Sequence, residues 1–153
     1  MSERIVFTRT FDGDPRLAAF LASAGDSLKT FRYFAKRTQE VLQHHAYTIL
    51  GMRGDVPVSY GHLDREDGKV WLGICVSWSE RGKGYGALTM HELVRYADHV
   101  GIKWLDLAVD RENRIAQLLY EKFGFERVSE ASGLLHYQRA HLGGSEEGGR
   151  DDL

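Results

Sequence analysis

The run Val70-Trp71-Leu72-Gly73-Ile74-Cys75-Val76 is the longest unbroken apolar stretch of the chain, and it leads into a turn carrying glycines at 82, 84 and 86. Behind the turn, Ala87, Met90, Val94 and Ala97 recur at helical spacing up to Gly101. A short, continuously apolar run predicts a strand buried on both faces, here Lys69–Ser77, and the periodicity predicts a helix over Gly84–Val100. A buried strand feeding a helix through glycines limits the chain to folds with a helix crossover. Glycines keep side chains out of the turn, so backbone N–H groups and the positive helix end can face an anion. Arg81 and Lys83 add full charges, and a pyrophosphate suits such a turn.

Around this unit the other elements are short. Ile5–Thr8 reads as a strand, and Asp14-Pro15 opens a helix closed by Gly25. Thr38 caps a candidate helix through His45. Ala46–Met52 and Val58–Asp64 read as strands joined at Arg53-Gly54-Asp55. Trp104–Val109 is a strand, Asn113–Lys122 a helix closed by Gly124, and Phe125–Ser129 and Leu134–Arg139 a final strand pair. The order predicts one mixed α/β domain over residues 1–141. The tail Gly143–Leu153 holds four glycines and four acids, so residues 142–153 are expected to be a disordered acidic tail.

Composition narrows the function. A chain of 153 residues, 42% hydrophobic and 27% charged, can bury a core without disulfides. A net charge of −2 and a pI near 6.4 argue against a broad nucleic-acid surface. Met1-Ser2-Glu3-Arg4 is followed by no apolar signal segment, and no run approaches the ~18 residues of a membrane span. The expectation is a cytoplasmic protein with no membrane or nucleic-acid partner. Cys75 is the one cysteine and reads as a small core residue. No metal site is expected.

A Walker loop would need Ser or Thr after its lysine, but Gly84 follows Lys83, so that reading fails. Gly82-x-Gly84-x-x-Ala87 formally fits a dinucleotide fingerprint, with Asp110 in the place of its ribose acid. Five residues separate Val76 from Gly82, however, and too little chain follows to complete a doubly wound sheet.

A second block follows: Leu107-Ala108-Val109-Asp110-Arg111-Glu112-Asn113-Arg114-Ile115-Ala116, then Leu119-Tyr120-Glu121-Lys122-Phe123-Gly124-Phe125. With Arg81-Gly82-Lys83-Gly84-Tyr85-Gly86 before it, the sequence closely resembles the GNAT superfamily of acyl-CoA N-acyltransferases, over roughly Val58–Arg139. The resemblance implies a mostly antiparallel sheet with helices on both faces and a splayed central strand pair. It implies acetyl-CoA as co-substrate and a primary amine, such as an amino sugar or another small amine, as acceptor. The amine would attack directly in a ternary complex.

Residue by residue, the resemblance places pantetheine on the backbone of Ile74, Cys75 and Val76. It places the pyrophosphate on Arg81, Gly82, Lys83, Gly84, Tyr85 and Gly86, and a further cofactor contact on Asn113, which also reads as a plain helix cap. Tyr120 is the candidate general acid, or else a core tyrosine. Many members carry a glutamate on the strand before the glycine turn, and none lies between Lys69 and Ser77. His62 and Asp64 are the candidate bases, Glu80 a weaker one, and a water chain is equally open. Phe31, Tyr33 and Phe34, with Arg32 or Arg37, are candidates for the acceptor wall, or are core and surface residues. A homodimer stays open. The missing glutamate also leaves room for a non-catalytic acyl-CoA-binding domain.

Overall fold

The computed structural model describes residues 4–27 and 45–141. The expected wall at residues 31–37, residues 38–44 of the candidate second helix and the tail at 142–153 lie outside them. The elements are β1 (Val6–Arg9), α1 (Pro15–Ser23), β2 (His45–Arg53), β3 (Val56–Glu66), β4 (Lys69–Val76), a single 3-10 turn at Trp78–Glu80, α2 (Tyr85–Val100), β5 (Trp104–Asp110), α3 (Arg114–Lys122), β6 (Glu126–Ala131) and β7 (Leu134–Ala140). His45, read above as the end of a helix, instead opens β2.

The strands form one seven-stranded sheet in the order β1-β2-β3-β4-β5-β7-β6. Every neighbouring pair is antiparallel except β4 and β5, and α2 supplies the crossover that a parallel pair needs. Local turns fix much of the register. Asp67 (φ 54°) and Gly68 (φ 77°) are both left-handed between β3 and β4, as are Ser132 (φ 54°) and Gly133 (φ 78°) between β6 and β7. Two left-handed central residues match the twist of a tight hairpin.

Helices cover both faces. On one, Met90, Leu93, Val94 and Ala97 of α2 and Tyr120 of α3 join Leu63, Leu72, Leu105, Leu107 and Tyr137 of the sheet. On the other, Leu17 and Phe20 of α1 pack on Leu50, Tyr60 and Cys75. Asp14 caps α1 as expected, its carboxylate accepting from the Arg16 backbone N–H at 2.9 Å. The Arg16 side chain holds the Asp14 carboxyl below its ordinary range. The buried stripe of α2 is Tyr85, Thr89, Met90, Leu93, Val94 and Ala97, whereas Ala87 faces solvent.

The central strand departs from expectation in a way that matters. β4 pairs fully with β3 from Glu66↔Lys69 to Ser59↔Val76, but its ladder with β5 holds at Trp71↔Asp106. Toward Val76 no further ladder pair follows, as in the splayed pair implied by the resemblance. Trp71, Gly73, Ile74 and Val76 are consequently half-buried, not enclosed on both faces as the apolar run suggests.

Candidate active site

The opening between β4 and β5 lies toward Val76, the end from which the chain enters the glycine turn. Gly82 (φ 78°) and Gly84 (φ 87°) are both left-handed, a region that costs a residue with a Cβ about 1 kcal/mol or more. Gly84 is the N-cap of α2 and brings no capping side chain, so the first N–H groups of the helix point into the turn unpartnered by a cap. A Cβ on Gly86 would lie 3.6 Å from Leu119 and 3.7 Å from Val76, so the end of β4, the start of α2 and α3 meet there.

Charges around the turn are already ordered. Glu80 accepts from Arg53 at 2.6 Å and from Lys83 at 2.8 Å. Those two hydrogen bonds hold its carboxyl down at about 2, which makes Glu80 a weak base. Arg81 donates from Nε to the Trp78 carbonyl at 3.0 Å and lies over the Trp78 ring, 3.2 Å from its centroid. Tyr85 is buried, its hydroxyl 3.5 Å from an Arg53 nitrogen, so only its backbone N–H is available to a ligand.

Asn113 is the N-cap of α3, accepting from the Ala116 N–H at 3.2 Å. The structure thus gives it the plain capping role and leaves its amide NH₂ for a further contact. Tyr120 sits on the buried side of α3, its ring 6.1 Å from Phe125 and 6.4 Å from Tyr137. Burial, with Cys75 as a lesser influence, pushes its phenol up to about 12. Cys75 belongs to the core on the opposite face, so the two groups sense each other across the sheet. Among the described residues the Tyr120 hydroxyl makes no hydrogen bond. A buried polar group without a partner costs about 1–3 kcal/mol and calls for an explanation; a ligand entering the splay would supply one.

His62 and Asp64 are not brought to Tyr120. With Tyr60 they occupy one face of β3, the face that carries α1, and they are 2% and 3% exposed. Tyr60 Oη and His62 Nδ1 are 2.9 Å apart. Their register partners on β4 are Gly73 and Trp71.

The Cys75 thiol is pushed up to about 12 by burial alone, so it stays protonated and is no nucleophile. The sign of the linkage is clear. The unfolded thiol ionises near 9.0 and the folded one near 12, so Cys75 lowers stability as pH rises through that window. At pH 10 the loss from this group is about 1.4 kcal/mol. Urea unfolding at pH 8 and pH 10 is expected to show Cys75→Ala losing about that much less stability than wild type. Equal losses in the two proteins would contradict the assignment.

The asymmetry of the sheet, one splayed parallel pair in an antiparallel frame, finds close parallels. The chain superimposes on a PaiA N-acetyltransferase from Thermoplasma acidophilum in complex with coenzyme A (TM-score 0.75, 15% identity, covering 90% of this chain and 99% of that one). It matches the GNAT domain of a PAT from S. lividans (TM-score 0.76, 16% identity, 89% and 90% covered). It also matches a GNAT superfamily phosphinothricin acetyltransferase from Sinorhizobium meliloti in complex with AcCoA (TM-score 0.75, 14% identity, 99% and 96% covered). A search among curated proteins finds no significant sequence relative. At these identities the superpositions speak for the fold. The sequence itself matches the model of the acetyltransferase (GNAT) family over residues 15–125. The chain therefore belongs to the GNAT family of acetyltransferases and is, with that family, an acyltransferase.

Proposed function

We propose that this protein transfers an acetyl group from acetyl-CoA to a primary amine on a small molecule, by direct attack in a ternary complex. The observation that carries this reading is the splay of β4 from β5 beyond Trp71↔Asp106, continuous with the uncapped N-terminus of α2. Pantetheine would take the place of the missing strand, pairing with the backbone of Ile74, Cys75 and Val76. The pyrophosphate would lie on the N–H groups of Gly82 to Gly86, with Arg81 and Lys83 countering its charge and Asn113 beside it. A backbone N–H left open by the splay would hold the thioester oxygen, where charge develops in the tetrahedral intermediate. Tyr120 would donate its proton to the departing thiolate. Support for the cofactor comes from the two superimposed enzymes solved with coenzyme A and AcCoA. Support for a small acceptor comes from the names of the phosphinothricin acetyltransferases. An amino sugar carries the same kind of nitrogen and is the first acceptor to try.

Acetyl-CoA is expected to raise the melting temperature and NAD to leave it unchanged. At 100 times its Kd a ligand adds about 2.7 kcal/mol, or about 5–10 °C for a chain of this size. Gly84→Val is expected to fold and to lose this shift, because its Cβ stands where the anion approaches and valine resists a left-handed φ. No shift with millimolar acetyl-CoA would refute the reading. A shift with no thiol released in the presence of any amine would instead indicate a binding module.

A further inference from the structure

At the vertex of the splay, on the face opposite α2, stands a polar cluster that the sequence does not single out. Asp106, 1% exposed, faces away from the core that holds Leu105 and Leu107. Its Oδ2 accepts from His136 Nε2 at 2.6 Å and from Gln138 Nε2 at 2.9 Å. His136 is on β7, opposite Ala108 of β5. Its ring nevertheless stacks on Trp71 of β4, with centroids 5.3 Å apart and planes at 27°. The imidazole therefore reaches across β5 to lie over the point where β4 and β5 part. Its side chain keeps 27% of its exposure while Asp106 keeps 2%. With Nε2 donating to Asp106, Nδ1 is the acceptor nitrogen, and among the described residues it has no partner.

We propose that His136, held by Asp106, is the general base that deprotonates the acceptor amine; this rests on the reading of the chain as an amine acetyltransferase. A primary amine is mostly protonated at pH 7 and attacks only when neutral. His136 Nδ1 takes one proton from the ammonium group, and Asp106 stabilises the imidazolium that results. The freed nitrogen lone pair forms the C–N bond at the thioester carbonyl, and the C–S bond breaks. The thiolate takes the Tyr120 proton, and the phenolate recovers one from the acetylated nitrogen. His136 returns its proton to solvent, so one proton is released per acetyl transferred. Gln138 and Trp71 fix the imidazole, one through the shared carboxylate and the other by stacking. Asp106 is a positioning residue. His62 and Asp64, nearly inaccessible on β3, are less well placed for this task.

The experiment follows thiol release from acetyl-CoA by the full chain with two kinds of acceptor: a strongly basic primary amine, ethylamine, and methoxyamine, which is neutral at pH 7. His136→Ala is expected to lower kcat/KM for the basic amine about 10²-fold, with the acetyl-CoA thermal shift intact. The fall for methoxyamine is expected to be below about tenfold, since no proton need be removed before attack. Added imidazole should restore part of the loss, and Asp106→Asn should reproduce it in weaker form. Equal losses for both amines, or no loss, would overturn the assignment. So would a near-wild-type His136→Ala beside a loss above about 10³-fold in His62→Ala, Asp64→Asn. A wild-type chain that releases no thiol with any amine would bring down the proposed function itself, and this inference with it; the other outcomes bear on His136 alone.

Discussion

Tyr120→Phe is expected to lower kcat by about 10²-fold or more while leaving acetyl-CoA affinity in place. The leaving thiol has an ordinary pKa near 8.5, and the buried Tyr120 phenol stands at about 12. Complete transfer to the thiolate ahead of bond cleavage would run uphill by about 5 kcal/mol, so the proton must move as the C–S bond breaks. General acid assistance of this kind is typically worth 10²–10⁴-fold. The same substitution removes a buried hydroxyl that has no partner among the described residues, so the unliganded variant should be as stable as wild type or more so, by up to about 1 kcal/mol. Slower turnover in a protein that melts no lower is the signature to look for, with single-turnover kinetics separating chemistry from release. Unchanged turnover would remove Tyr120 from the mechanism. A lower melting temperature would mean that the phenol is a structural group.

Asp98→Ala is expected to cost about 2–3 kcal/mol. Arg139 is 3% exposed. It gives two hydrogen bonds to the Asp98 carboxylate, at 3.1 and 2.9 Å, and one from Nε to the Phe123 carbonyl at 3.0 Å. Removing the carboxylate, which is 27% exposed, leaves a buried guanidinium with one neutral acceptor, and the loss of hydrogen bonds to a charged group from one side costs about that much. For a chain of this length the melting temperature should fall by about 4–12 °C. Asp98→Asn, which keeps an acceptor, should fall less. Because the pair ties the last turn of α2 to β7 and to the end of α3, the loss should appear as global unfolding. A melting temperature within about 2 °C of wild type would show that solvent reaches Arg139 and repairs the gap.

The strand, glycine turn and helix at the centre of the fold were legible because each carries a strong local signal: an unbroken apolar run, glycines where φ is positive, and a period of 3.6 ending at Gly101. Asp14-Pro15 and Asn113 marked helix starts by cap chemistry, and both cap as read. Ala87 was misassigned because the spacing Ala87–Met90–Val94 fits a helix equally well whichever small residue faces solvent; Leu93 and Thr89, passed over, line the contact with the sheet. The half-burial of β4 could not be read from seven apolar residues, since the splay depends on where β5 lies.

The Asp106–His136 pair was hidden for a related reason. Asp106 alternates with Leu105 and Leu107, and His136 with Leu135 and Tyr137. Each strand taken alone shows a polar residue on its second face, which is ordinary. Their meeting depends on the antiparallel register that sets Ala108 opposite His136, and nothing local encodes a register between strands separated by a helix. A charged residue in the middle of an otherwise apolar strand was the one available clue.

The single rung at Trp71↔Asp106 also bears on how the molecule assembles. β2, β3 and β4 follow one another through two-residue turns, and β6 and β7 do the same, so these two groups can zip from contacts close in sequence, while β1 and β5 join them across longer loops but with several ladder pairs each. The parallel contact of β4 with β5 also closes a loop of more than twenty residues, around α2, but gains little hydrogen bonding in return. Contacts that close long loops for small reward form after the local ones. The seam therefore belongs to the last stage of folding, and changes along it should speed unfolding more than they slow folding. The cleft assigned here to the cofactor is the place where two separately zipped halves of the chain come together last.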